Sequence, residues 1–346
     1  MRYKNELIAA LLREVEMQLA NYSGEIIETI YFGGGTPSLL SKSEIPNILQ
    51  KIHSSFTVAP SAEITLEANP DDITVEKLED WKETGINRLS IGIQSFFEED
   101  LQWMNRAHNA KQAVKSLLMA VESFKNITID LIYGTPGLTN EKWKQNVEKG
   151  ISLGIPHLSC YALTVEPKTL LQKLIQQSKA EDIDPDKQSE QFLLLMQWLE
   201  EAGYEHYEIS NFAKPAFRSR HNSSYWSGKN YLGFGPSAHS FDGNTRWWNI
   251  ANNNSYIDSI NKGILPIEKE ILSATQKLNE YIMISLRTVE GLNLSKLNKA
   301  QSDELRGKAG KYMERGHIKL ENNFLLLTRD GKLLADGIAA DLFGDQ

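Results

Sequence analysis

The residues best suited to chemistry are two carboxylates and a guanidinium set among glycines and apolar runs. Asp130 lies inside "ITIDLIYG", where a charged carboxylate is costly unless it is paired or hydrogen-bonded. Placed there, it can accept from ligand hydroxyls such as those of a ribose, or it can anchor the backbone. Glu67 ends another apolar run, and Arg106, two residues before His108, has the donors to grip a ligand carboxylate in bidentate fashion. The glycines of "YFGGGTPS", residues 31–38, fit neither the phosphate loop GxxxxGK[ST] nor the dinucleotide loop GxGxxG. No lysine follows them, and Pro37 sits where a helix would open. They offer backbone N–H and C=O groups at a strand's end, suited to an amino acid's ammonium and carboxylate; a tight turn is the alternative.

The elements that must position these residues follow from periodicity. Strands are predicted at 26–32, 62–68, 88–94, 127–133 and 157–163, and helices at 43–53, 75–84, 110–124 and 141–153. This alternation implies an α/β fold with a parallel sheet and crossover helices. The strands read as nearly continuous apolar runs, as when both faces are covered. Polar residues and glycines cluster at the strand ends, at 33–36, 67–70, 94–95 and 134–137. Ligands of parallel α/β proteins bind at those ends, where loops and helix N-termini converge.

Composition bounds the possibilities. With 346 residues, 41% hydrophobic and 24% charged, a normal core is within reach, and the net charge of -8 argues against a surface that coats nucleic acid. No apolar run is long enough to cross a bilayer, and "MRYKNELIAALLREVEMQ" lacks a signal peptide's apolar stretch, so a cytoplasmic address is expected. A single cysteine, Cys160, leaves no intramolecular disulfide and no cysteine-based cluster built by this chain alone; it reads as a small buried hydrophobe. From Tyr204 the chain turns aromatic, polar and glycine-rich, and is expected to be mostly loop. After Ala274, helical patterns precede runs at 318–320 and 324–327, a hairpin and wing of structural rather than DNA-binding character.

Taken together, "YFGGGTPS", "EANP", "GINRLSIGIQSF", "NRAH", "DLIYGTPG" and "HNSSYW" stand in an order that resembles one radical S-adenosylmethionine family. It is the oxygen-independent coproporphyrinogen III oxidase-like group, and the last motif points to its heme-chaperone branch. The resemblance runs the length of the chain. It implies a partial (β/α)6 barrel over residues 1–203, lacking its first strand. An aromatic connecting region at 204–273 and a C-terminal α+β winged-helix-like domain at 274–346 would follow.

By the same resemblance, Gly34, Gly35, Thr36, Glu67, Gln94, Arg106 and Asp130 would contact S-adenosylmethionine, with Ala162 and His239 toward its adenine. His221, Asn222, Tyr225 and Trp226 would form the heme motif, His221 ligating the iron and the aromatic rings covering the porphyrin. The implied function is a heme chaperone that passes heme to a recipient hemoprotein, with or without a membrane, and no nucleic-acid partner. A radical enzyme decarboxylating coproporphyrinogen III is the alternative. A barrel enzyme for a phosphorylated metabolite fits less well without a phosphate-loop lysine.

The family's CxxxCxxC motif, which holds a [4Fe–4S] cluster, does not occur here. The chain resembles one that starts just after that motif. Either the start is misplaced or truncated, with the first strand and cluster loop lying upstream, or the protein is a natural short form that lost the cluster. The intact motifs downstream favour the first. Two expectations follow. This chain by itself would not cleave S-adenosylmethionine reductively, and the strand at 26–32 would be an unpaired, aggregation-prone edge.

Overall fold

A computed structural model describes residues 3–22, 24–177 and 181–344. The principal sheet contains β1 (Ile27–Phe32), β2 (Val58–Ala68), β3 (Arg88–Gln94), β4 (Ile127–Tyr133), β5 (His157–Ala162), β6 (Glu205–Glu208) and β7 (Asn211–Ala213). Its order is β1-β2-β3-β4-β5-β7-β6, with β1 to β5 parallel. The helices flanking it are α1 (Lys4–Met17), α2 (Glu44–Ser55), α3 (Val75–Glu83), α4 (Glu98–Trp103), α5 (Ala110–Ser123), α6 (Asn140–Ser152), α7 (Leu170–Gln176) and α8 (Pro185–Glu201). The periodicity placed the first five strands and α2, α3, α5 and α6, with ends moved by a few residues, but gave no helix where α4 lies between β3 and β4. α8 was not read from the sequence, although Asp184 caps it and Pro185 opens it, ahead of an apolar run.

Two features of the sheet depart from the sequence reading. β7 and β6 are antiparallel, because Ile209–Ser210 is too short a connection for a crossover. The strands are also not apolar on both faces. In β2, Ala62, Ile64 and Leu66 face the helices at 4%, 8% and 0% exposure, whereas Glu63, Thr65 and Glu67 alternate with them. Arg88 and Ser90 in β3, Thr128 and Asp130 in β4, and Ser159 and Tyr161 in β5 continue that second face. The sheet therefore curls around a polar lumen, and its apolar face packs on α3, α5, α6 and α8 through Leu78, Leu117, Trp143 and Leu195. Cys160 is in this core, as read from the sequence.

β1 ends the sheet, and among the described residues no strand pairs with its outer side. Among these residues the edge is unpaired, as expected, but it is not bare. α9 (Arg220–Trp226) packs on it, the Lys229 ammonium pairs with Glu28, and Asn230 Nδ2 donates to Glu25 Oε1 at 2.8 Å. Charge and cover are the devices that protect natural edges.

The stretch after Tyr204 is more ordered than its composition suggests. Besides β6, β7 and α9, it forms α10 (Asn253–Asn261) and a sheet of β8 (His239–Phe241), β9 (Thr245–Asn249) and β10 (Ile267–Ile271). α1 joins this region through Glu14. Its buried carboxylate accepts from Asn249 Nδ2 at 2.6 Å, Gly235 N at 2.8 Å and Tyr256 Oη at 2.5 Å.

The C-terminal unit packs α11 (Ala274–Leu286), α12 (Lys299–Glu314), α13 (Arg329–Lys332) and α14 (Ala335–Leu342) on β11 (Leu292–Asn293), β12 (Ile318–Glu321) and β13 (Phe324–Leu327). The hairpin turns at Asn322 and Asn323, with φ of 48° and 69°, values asparagine tolerates in a type I′ turn. The wing has three strands rather than two, because β11 adds to β13. Ile209 packs against both the barrel core and this one, and Arg287 Nε reaches the buried Glu208 at 3.3 Å.

Candidate functional site

The mouth is built from the ends of β1, β2 and β3, from Asp130 within β4, and from Arg106 in the turn after α4. The glycine loop leaves β1 with Gly34 and Gly35 at φ of 72° and 63°, a conformation that side chains disfavour. A Cβ on either would meet nothing within 4 Å, so the backbone there is open to a ligand. Gly34 N donates to Glu67 Oε2 at 3.1 Å, and Tyr31 Oη donates to Glu67 Oε1 at 2.8 Å. Glu67 thus ties the glycine loop to the lumen wall.

Gln94 ends β3 in a left-handed conformation with φ of 60°. That strained turn lays its side chain back over Gly92, where an added Cβ would come within 2.9 Å of Gln94 Nε2 and 3.4 Å of Arg106 Nη2. Arg106 Nη2 donates to Asn69 Oδ1 at 3.1 Å. Among the described residues, Gln94 Oε1, Arg106 Nε and Thr135 Oγ1 are buried without a partner. Native structures rarely leave such atoms unpaired.

Asp130 faces Gly92 on one side and Ser159 on the other in the strand register. Burial, followed by the charge of Glu67, pushes its carboxyl up to about 7, so it is partly protonated at neutral pH. It borders a partly open cavity of about 80 Å³ together with Tyr31, Glu67, Arg88 and Asn222. Arg88, 1% exposed, hydrogen-bonds the side chains of Asn126 and Thr128.

The motif "HNSSYW" is helical, not a loop. Ser219 caps α9, its hydroxyl accepting from Asn222 N at 3.2 Å. The His221 ring stacks on Tyr31, with centroids 4.5 Å apart and planes 14° apart, and meets Tyr225 edge-on at 5.1 Å. Its Nδ1 lies 3.0 Å from Thr29 Oγ1. Nε2 has no hydrogen-bond partner among the described residues and is not among the buried unpartnered atoms. Burial lowers the imidazole to about 4, so the ring is neutral at physiological pH.

Tyr225 is 40% exposed beside Tyr231, while Trp226 lies under the Arg287 guanidinium, 5.2 Å from its ring centre. Trp226 thereby docks α9 onto the C-terminal unit.

The structure thus brings the glycine loop, Glu67, Gln94, Arg106 and Asp130 to one mouth and places Asn222 on the same cavity as Glu67 and Asp130. Ala162 ends β5, half-buried at the rim. His239 stands apart, exposed on the second sheet and stacked on Trp248 at 5.9 Å. Sequence reasoning assigned no role to Tyr31, Thr29, Glu63 or Arg88. The signal was present as a period of two: polar residues on alternate positions of strands read as continuously apolar.

The residues present fit an amino-acid-bearing cofactor, since open backbone and unpartnered polar atoms converge at the mouth. They do not fit a [4Fe–4S] cluster. The only thiol of the 346 residues, Cys160, is buried, and burial raises its pKa well above the usual value. Among the described residues no group of three or more His, Cys, Asp and Glu side chains is placed to hold a metal.

Comparison with known proteins agrees with this geometry. The Radical SAM superfamily profile matches residues 3–149, and that of the HemN C-terminal domain matches residues 272–334. The fold is similar to that of coproporphyrinogen III oxidase (HemN) from Escherichia coli, with a TM-score of 0.83 at 22% identity, covering 99% of this chain and 84% of that one. The heme chaperone HemW of Mycobacterium tuberculosis H37Rv is 33% identical over 339 residues, 97% of this chain and 86% of its own length. HemW of Bacillus subtilis 168 is 33% identical over 350 residues, 99% and 92% of the two chains. With its fold, its paired family domains and this extent of similarity, the chain belongs to the HemW heme-chaperone family of radical SAM proteins.

Proposed function

We propose that this chain is a heme chaperone that binds heme through α9 and hands it to a hemoprotein. The observation that carries the reading is His221: a neutral imidazole with Nδ1 engaged, Nε2 free and the exposed Tyr225 beside it. A neutral imidazole nitrogen is the usual protein ligand of heme iron, and an exposed aromatic ring suits an apolar porphyrin face. The matched relatives that bear the name heme chaperone support it. Among the described residues no helix is long and apolar enough to cross a membrane.

In the same reading, the mouth binds S-adenosylmethionine. Gly34, Gly35 and Thr36 take its amino-acid end, Arg106 its carboxylate, and Glu67, Gln94 and Asp130 the remaining polar groups, with Ala162 near the adenine. Family membership implies this cofactor and a [4Fe–4S] cluster. Because the single buried thiol here does not fit the cluster, the oxidase-type alternative gains no support from these residues.

The test is a hemin titration followed by transfer to an apo-hemoprotein such as apomyoglobin. Saturable binding with a Soret band that shifts on His221→Ala, together with transfer, is expected. A spectrum and affinity unchanged by that substitution would sink the ligand assignment.

A further inference from the structure

Resting on the heme reading above, we infer that Thr29 and Glu63 are positioning residues: Thr29 selects Nε2 of His221 as the iron-binding atom, and Glu63 fixes the helix that presents it. Glu63 sits mid-strand in β2 at 5% exposure and faces the lumen. Its carboxylate accepts from the backbone N–H groups of Arg220, at 3.1 Å, and His221, at 2.9 Å. These first N–H groups of α9 have no partner within the helix, so a carboxylate there satisfies them and favours the positive end of the helix. The Arg220 guanidinium adds a bond to Ser61 O at 2.6 Å. The helix is therefore pinned to β2 from both sides of its first residue.

Thr29 then fixes the ring. With the imidazole held between Tyr31 and Tyr225, the contact from Nδ1 to Thr29 Oγ1 occupies one of its two nitrogens. When Nδ1–H donates to the hydroxyl, the lone pair lies on Nε2, the nitrogen without a partner. The hydrogen bond at one ring nitrogen decides which one binds metal. The partner's chemistry matters as well. A carboxylate at this position would make the imidazole more basic and the iron bond stronger, whereas a neutral hydroxyl orients the ring without doing so. That choice suits a cargo that has to leave again.

The experiment uses the full chain, hemin as probe, and circular dichroism with the thermal midpoint as a check of folding. Thr29→Val keeps the shape and removes the hydroxyl. It should weaken hemin binding by roughly 10-fold or more, the usual effect of losing a metal ligand's hydrogen-bond partner. It should also shift the iron–histidine stretching band of the ferrous form in resonance Raman spectra, and Thr29→Ser should restore both. Glu63→Gln should weaken binding and broaden that band while the fold persists. If Thr29→Val and Glu63→Gln match the unsubstituted protein in affinity and band while His221→Ala loses binding, positioning is refuted and the ligand reading stands. If His221→Ala binds hemin as before, both are refuted.

Discussion

The mouth of the barrel and the helix over its lumen are built on opposite principles. At the mouth, Gln94 Oε1 and Arg106 Nε are buried without partners, Gln94 is held in a left-handed backbone, and Asp130 is protonated more readily than a free carboxyl. At α9, the first N–H groups, the Arg220 guanidinium and the His221 Nδ1 all have partners in the chain itself. Unsatisfied polar atoms and strain cost stability and mark where a ligand completes the structure. Satisfied ones mark a group already arranged for its task. On the proposed reading, the mouth is completed by its ligand whereas the helix is pre-organised, so substitutions in the two regions should differ in sign as well as size.

The largest effect is expected at Glu63. Glu63→Ala leaves part-buried α9 donors unpaired and removes the negative charge facing the buried Arg88, and should destabilise the fold by about 3 kcal/mol in denaturant unfolding. A loss under about 1 kcal/mol would mean that α9 is docked by something else. Arg106→Ala should do the reverse. It should change stability little but cost S-adenosylmethionine about 2 kcal/mol, roughly 30-fold in affinity by calorimetry, the scale of a lost charged hydrogen bond. Equal affinity would remove Arg106 from the site.

Asp130 gives a smaller effect with a distinctive pH signature. Its folded pKa, about 7, is raised from 3.8. Its protonated form is thus favoured by folding, and the stability it contributes is complete below pH 4 and declines as pH rises through 7. Asp130→Asn should remove that decline, making the variant more stable than the unsubstituted chain at pH 8 by about 1 kcal/mol while weakening the cofactor. Thermal midpoints that keep the same pH slope in both proteins would show that Asp130 is not the titrating group.

Much of this was legible in the sequence. The alternation of β1 to β5 with their helices, the glycine loop and the residues of "HNSSYW" are local patterns, set by backbone sterics and the two periodicities of side-chain direction. Composition misled where it stood in for geometry. The aromatic stretch after Tyr204 looked like loop, but Ser219 caps a helix there, and the polar alternation of the strands was overlooked because their apolar residues are so dense.

What the sequence determined by itself was the inventory of elements and the strand ends that carry reactive groups. What the tertiary structure alone decided was their company. Glu63 meets His221 across 158 residues and Thr29 meets it across 192, and the two motifs border one cavity. No local propensity encodes such pairs. They exist only because the sheet curls, leaving Glu63, Thr29 and Tyr31 on its inner face when the chain returns to cover the edge.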